Sequence, residues 1–331
     1  MGLIVIIAFA LVFLFINYQL TKSKKANAAW VDFEVTRGQE VKEIARNLEQ
    51  AGLIHSAWWF ESEVWLRGNE KSFLSGSYKL NPVWSIRKIV KFMTETEPAP
   101  NEVKITLIEG WRRQEMADYL FSLGLAESSQ ELIDLTSDNR IYKDVWDFLV
   151  DSPSGASLEG FLFPDTYRVF KKAETSDIIN KLLKNFDRQL TLELRQAIEK
   201  QNKTIYEVIT LASIVQKEVK SEADMAVVAG VFTNRLRLDM PLQSDATITY
   251  LTGKKDPSPS TDDLDFSSLY NTYLYKGLPP GPIASPGKAA ITAVVQPAET
   301  DYLYFLTTPE GQTIFSKTLG EHNQNKIKYL K

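Results

Sequence analysis

The chain has 331 residues, 44% hydrophobic and 11% aromatic, with a net charge of -4; such a composition fits one large or two to three modest folded domains and excludes a disordered chain. The negative balance speaks against a nucleic-acid partner. Cysteine is absent and His55 and His322 are the only histidines, which removes disulfides, thiolate nucleophiles and thiolate metal sites and leaves carboxylates, hydroxyls and amides to carry any chemistry.

Residues 3–16 read LIVIIAFALVFLFI, and residues 1–20 carry no charged side chain. A membrane-spanning helix needs about 20 mostly apolar residues, so a transmembrane anchor is expected over 1–20. A cleaved signal peptide is the alternative, because Ala26-Asn27-Ala28 has the A-x-A form. Lys22, Lys24 and Lys25 stand between the run and that site, and no basic segment precedes the run. The same lysines favour the cytoplasm by the positive-inside rule, so charge alone argues against a body outside the cell.

Val31 to Val35 alternates as a strand, and Val41, Ile44, Ala45 and Leu48 then follow helical spacing up to Gly52. Gly76 to Leu80 followed by Ser85 to Met93 reads as another strand and helix. The spacing Gly38, Ile44-Ala45, Leu48, Gly52-Leu53 recurs as Gly110, Met116-Ala117, Leu120, Gly124-Leu125, which suggests a duplicated strand–helix unit. Pro98-Ala99-Pro100-Asn101 and Asp151-Ser152-Pro153-Ser154-Gly155 read as boundaries. The expected organisation is therefore α+β: a module over 30–98, a second small unit over 102–152 and a larger domain over 157–331.

Within that domain, 176–201 is expected as one amphipathic helix. Thr204 caps a helix running to about Lys220, and Ser221 caps the next, with Asp224 in a capping-box position. Ser285-Pro286 suits the start of a helix to about Val295, and 302–316 reads as a hairpin across Pro309 to Gln312.

The sharpest chemical signal is in the helix after Thr204. Its apolar stripe, Val208, Leu211, Ala212 and Val215, meets Glu218 three residues on. A carboxyl on a core-facing stripe is desolvated and its pKa rises, as a general acid near neutral pH requires. The competing reading turns Glu218 out to water at the helix end, and periodicity alone does not choose. Glu159, in the run Leu158 to Tyr167, and Asp245 are candidate second carboxylates for ordinary glycoside hydrolysis. Glu159 is read first as a structural partner of its own turn. The glycine- and proline-rich run 277–283 reads as a rigid loop. Neither HExxH nor GxSxG occurs, and Ser85-Ile86-Arg87-Lys88 is an SxxK match with no accompanying SDN or KTG.

Together, Leu211 to Glu218, Val231 to Leu236, Leu242 to Asp245, Tyr270 to Tyr273 with Gly277 to Ile283, Leu158 to Tyr167, and Phe315 to Leu319 with Glu321-His322-Asn323 resemble the endolytic murein transglycosylase family (MltG, YceG-like). The resemblance covers nearly the whole chain. It departs from the family pattern at Gln216, where relatives often carry a glutamate, and in lacking basic residues before the anchor.

The resemblance implies a LysM-like module before the catalytic domain. It also implies endolytic cleavage of the MurNAc–GlcNAc β-1,4 bond of peptidoglycan during cell-wall synthesis, leaving 1,6-anhydromuramyl ends. Glu218 is implied as acid and then base; the substrate's own C6 hydroxyl is the nucleophile, so no second enzymatic carboxylate is needed. Gln243, Ser244, Asp245, Asn271, Tyr273 and Glu159 are expected at the substrate, with neither metal nor cofactor. The implied setting is the inner membrane, single-pass, with the catalytic domain facing the wall and wall-synthesis proteins as partners. The alternative is a peptidoglycan-binding scaffold in which Glu218 is structural.

Overall fold

The structure, a computed structural model, describes residues 11, 14–21, 29–96, 102–254 and 259–330. The chain forms two compact units, Met1–Val103 and Lys104–Lys331, and its class is mixed α+β.

The first unit runs β1 (Val31–Val35), α1 (Val41–Gln50), α2 (Ala57–Leu66), β2 (Gly76–Leu80) and α3 (Ile86–Glu95). β1 and β2 are antiparallel, with Phe33 opposite Tyr78. Strand alternation buries Phe33, Val35, Tyr78 and Leu80 against Ile44 and Leu48 of α1, Phe60 and Val64 of α2, and Ile89 and Met93 of α3. Ser56 and Ser85 cap α2 and α3 by accepting the N–H of Trp59 and Lys88. The SxxK match is thus a helix cap and the turn that follows it.

Residues 14–21 are helical, and Leu20 joins this same core at 1% exposure. The anchor expected over 1–20 lies largely outside the described residues. Among the described residues, no helix is long and apolar enough to cross a membrane.

The second unit opens with β3 (Glu102–Thr106), α4 (Arg113–Ser122), α5 (Ser129–Leu135), the short α6 (Arg140–Lys143) and β4 (Thr166–Phe170), which pairs with β3. The spacing shared by 38–53 and 110–125 corresponds to shared geometry. Gly52 and Gly124 both take positive φ, 70° and 68°, and Leu53 and Leu125 each donate an N–H to the carbonyl of Leu48 or Leu120, at 2.9 and 3.0 Å. These are matching left-handed helix ends, a conformation glycine adopts without steric cost. Residues 104–152 lie in the same compact unit as 157–331.

The rest of this unit is mostly helical: α7 (Thr175–Gln189), α8 (Leu192–Lys200), α9 (Ile205–Glu218), α10 (Glu222–Arg237), α11 (Asp245–Thr252), α12 (Thr261–Leu264) and α13 (Lys288–Val295). A hairpin of β5 (Tyr304–Thr307) and β6 (Thr313–Ser316) follows, then α14 (Leu319–Tyr329). The helix expected over 176–201 is two helices: Leu190 leaves helical geometry and Thr191 caps α8 by accepting the N–H of Leu194. The helix expected from Ser285-Pro286 starts at Lys288 with Gly287 at its N-cap. The Ser285 N–H and carbonyl are instead paired with the Trp111 carbonyl and the Gly110 N–H, both at 2.8 Å.

α9 is buried on nearly every side from Val208 to Val215, with α10 and α13 packed against it. A helix apolar all round belongs in a core. Its two ends reach the surface, and the candidate site is at the last turn.

Candidate active site

Thr204 and Glu207 form a reciprocal capping box at the start of α9, and the helix ends at Glu218, where Val219 turns extended. This places a half-buried carboxyl at the wall of a cavity of about 760 Å³. Burial pushes the Glu218 carboxyl up to about 7. A hydrogen bond from the Ser244 hydroxyl opposes the rise, the charge of Asp245 adds to it, and the Ala246 N–H and Arg235 oppose it.

Ser244 occupies the N-cap position of α11 yet makes no side-chain cap; its hydroxyl is committed to Glu218. The Glu218 carboxyl therefore meets the N-terminus of α11, where backbone donors and the helix dipole favour an anion. Two hydrogen bonds strap the start of α11 in place: Thr272 Oγ1 accepts the Ser244 N–H at 3.0 Å and the Thr272 carbonyl accepts the Gln243 N–H at 2.9 Å.

Gln243, Asp245 and Tyr273 line the same cavity as Glu218. The Tyr273 hydroxyl donates to Asp245 Oδ1 at 2.5 Å. Burial, then this carboxylate, raises the Tyr273 pKa, so the phenol stays protonated and keeps donating. Ser244 is buried behind them, at 2% exposure.

Besides Ser244, two residues expected at the substrate do not line the cavity. Asn271 is fully buried; its amide donates to the carbonyls of Leu264 and Phe266 at 2.8 and 2.9 Å, and its Oδ1 accepts the Tyr273 N–H at 3.0 Å. It shapes the loop that carries Tyr273. Glu159 is buried against the start of α4, where it accepts the Arg113 N–H at 3.1 Å and faces the Arg113 guanidinium at 3.9 Å. Burial pushes its carboxyl up to about 7 against the pull of Arg113. Its hydrogen-bonding capacity serves the fold, so of the two candidate second carboxylates only Asp245 shares the cavity with Glu218. The 277–283 loop likewise packs on the core: the Ile283 N–H donates to Ser213 Oγ at 3.0 Å and the Tyr206 hydroxyl to the Pro280 carbonyl at 3.0 Å.

Sequence reasoning missed Arg235 and the wall built by β5 and α14. Arg235 lines the cavity at only 7% exposure. Its guanidinium donates to the carbonyls of Leu303 (2.6 Å), Pro241 (3.2 Å) and Leu242 (3.0 Å) and to Gln243 Oε1 (3.2 Å), and it lies 4.9 Å from the Tyr304 ring centroid. It ties α10 to both the 241–243 turn and the hairpin. A detectable signal existed: Arg235 follows Phe232 by three residues on the buried face of α10.

Three comparisons with known proteins find relatives of the chain. The profile of the YceG-like family matches residues 33–328. The chain is 33% identical, over 96% of its length and 90% of the relative's, to the endolytic murein transglycosylase of Bacillus subtilis (strain 168). It is 30% identical to the protein of the same name from Streptococcus pneumoniae (strain ATCC BAA-255 / R6), covering 91% of this chain and 58% of that one. A 2.6 Å crystal structure of a yceG-like protein from Listeria monocytogenes superposes with a TM-score of 0.61 at 31% identity, over 90% of this chain and 99% of that one.

Proposed function

The chain belongs to the YceG-like family, and on that footing we propose that it is a lytic transglycosylase cutting the MurNAc–GlcNAc bond of peptidoglycan strands. The observation that carries the proposal is Glu218: a carboxyl at about 7 on the wall of a cavity that also presents Gln243, Asp245, Tyr273 and Tyr304 among aliphatic side chains. Near neutral pH such a group both gives and takes a proton readily.

Glu218 donates its proton to the glycosidic oxygen as the C1–O bond breaks. The carboxylate so formed, held by Ser244 and the start of α11, then removes the proton of the muramyl C6 hydroxyl. That oxygen bonds to C1, giving the 1,6-anhydro end, and Glu218 recovers its proton without consuming water. Asp245, held by Tyr273, is placed to stabilise the positive charge that develops at C1. Gln243 and Tyr273 line the sugar cleft, and cleavage within strands during wall synthesis accords with the names of the relatives.

The setting belongs to the same proposal. The charge-free residues 1–20, apolar throughout 3–16, serve as a single-pass anchor in the inner membrane, with the catalytic unit on the side of the wall, near the proteins that build it. The order strand–helix–helix–strand over 31–80 supports a LysM-like reading of the first unit.

The test uses the full chain in detergent with purified uncrosslinked glycan strands, and reads products by mass spectrometry beside Glu218→Gln. Anhydromuramyl ends from the parent and none from the variant are expected. Hydrated reducing ends would make the enzyme a hydrolase, with Asp245 as the residue activating water. No cleavage by a folded parent would favour a binding scaffold.

A further inference from the structure

Helix α14 turns one face to the cavity. Leu319, His322, Lys326 and Leu330, three, four and four residues apart, all line it. His322 is 9% exposed and stacks on Tyr304 with ring centroids 5.4 Å apart. Its Nδ1 is buried with no hydrogen-bond partner, a rare condition for a buried polar atom. Burial, reinforced by the charges of Lys326 and Arg235, lowers the His322 pKa, so the ring is neutral when the cavity is empty.

The cations on the wall are not equivalent. Arg235 is committed to three backbone carbonyls and to Gln243. Lys217 donates to the Gly110 carbonyl at 3.3 Å. The Lys326 ammonium is exposed and has no carboxylate partner among the described residues. It stands one helical turn from His322, so the two side chains are neighbours about 5–6 Å apart at Cβ. The acidic groups, Glu218 and Asp245, come instead from α9 and α11. The cavity is thus divided: acids where the bond is cut, and unspent donors along α14.

We propose that His322 and Lys326 form a carboxylate-binding subsite, which takes the acidic group carried on the lactyl substituent of a muramyl residue beside the bond being cut. The inference rests on the strand-cleavage reading and specifies which part of the strand is recognised. Sugar hydroxyls and acetamido groups need no ammonium, whereas every muramyl residue carries a lactyl arm. That arm ends in a free carboxylate where the peptide stem has been removed, and bears the stem's own carboxylates where it has not. An anion bound beside His322 favours the charged ring, so the imidazole becomes a second charged donor only when the subsite is filled. Strands without such an acid leave these donors unpaired and are selected against.

The full chain in detergent would be assayed on three substrates: stem-bearing strands, strands stripped of stems by an amidase, and stripped strands whose lactyl carboxyls have been converted to neutral methylamides. Lys326 is exposed, so Lys326→Gln leaves the core intact. It is expected to raise KM about tenfold on a charged substrate, the equivalent of about 1.4 kcal/mol, with kcat within about twofold by the same scale. The neutralised strands should be cut equally by both enzymes, and Lys326→Arg should restore the parent's KM. A loss on stripped strands identifies the lactyl carboxylate; a loss confined to stem-bearing strands identifies a peptide carboxylate. Unchanged KM on both charged substrates, or an equal loss on the neutralised one, overturns the subsite while strand cleavage stands. A parent that cuts none of the three removes the strand-cleavage reading and the subsite with it.

Discussion

At the scale of single residues, the elevated pKa of Glu218 has two measurable consequences. The acid form does the first proton transfer, so single-turnover cleavage should fall as pH rises through about 7. Ser244→Ala removes the hydrogen bond that favours the charged carboxylate. It should move that limb upward in pH and slow turnover by about tenfold; an unmoved limb would deny Ser244 any part in tuning Glu218. Stability follows the same sign. A raised carboxyl pKa means the native state holds its proton more tightly than the unfolded chain, so this contribution is intact near pH 4.5 and is lost as pH climbs to about 7. Glu218→Gln cannot ionise and can still accept from Ser244. It should be the more stable protein at pH 8, by about 2 kcal/mol, with the gap closing near pH 4.5. Thermal unfolding in the two buffers checks this, and a parent that is the more stable at pH 8 refutes it. Glu218 was legible in sequence because helical period carries an apolar stripe straight to it. Asn271 was misplaced because a motif dense in polar groups does not reveal whether an amide faces a ligand or its own backbone. His322 was noticed only as part of a motif, and Lys326 went unread, because their wall meets Glu218 only through tertiary packing across about a hundred residues of sequence.

At the scale of elements, the last turn of α9 is positioned by how closely its neighbours approach. Gly160 has φ +85°, and a Cβ there would lie 2.5 Å from Pro282 Cβ and 3.0 Å from Ile209 Cγ2. Gly160→Ala therefore has to move the 277–283 loop or α9, and it should cost about 2–4 kcal/mol, seen as a lower unfolding midpoint. A change within about 0.5 kcal/mol would show that the loop yields freely. Most helices were readable from their caps and stripes, as at Thr204 and Ser221. The failures share a cause. At Leu190-Thr191 a local cap interrupts a continuous apolar stripe, and at Ser285 a tertiary pairing with 110–111 takes backbone groups that a helix start would otherwise use. Periodicity reports which face is buried, and says nothing of competing partners for the backbone.

At the scale of the whole molecule, all the cavity residues discussed belong to the second compact unit. A fragment spanning 102–331 should therefore cut purified strands with kcat within about threefold of the full chain, far less than the about 10²-fold or more that loss of a catalytic group costs. A folded but inactive fragment would show that the first unit takes part in cleavage itself. The boundary near Pro98 to Asn101 was legible as composition. That 104–152 belongs with the second compact unit was not, because its pattern copies the first unit's while its elements pack on α7 and α9 and its 110–111 turn pairs with Ser285. The matched turns now differ in what leans on them. Gly110 is bound by Ser285 and Lys217, within one residue of Glu218; next to Gly38 a side chain would meet nothing within 4 Å. Two turns of like geometry therefore stand under unequal constraint. Aligned relatives should keep glycine at both 110 and 38, where φ is 79° and 81°, but show Trp111 nearly frozen and Gln39 drifting, a difference in substitution rate imposed by a single lysine and a single backbone pairing.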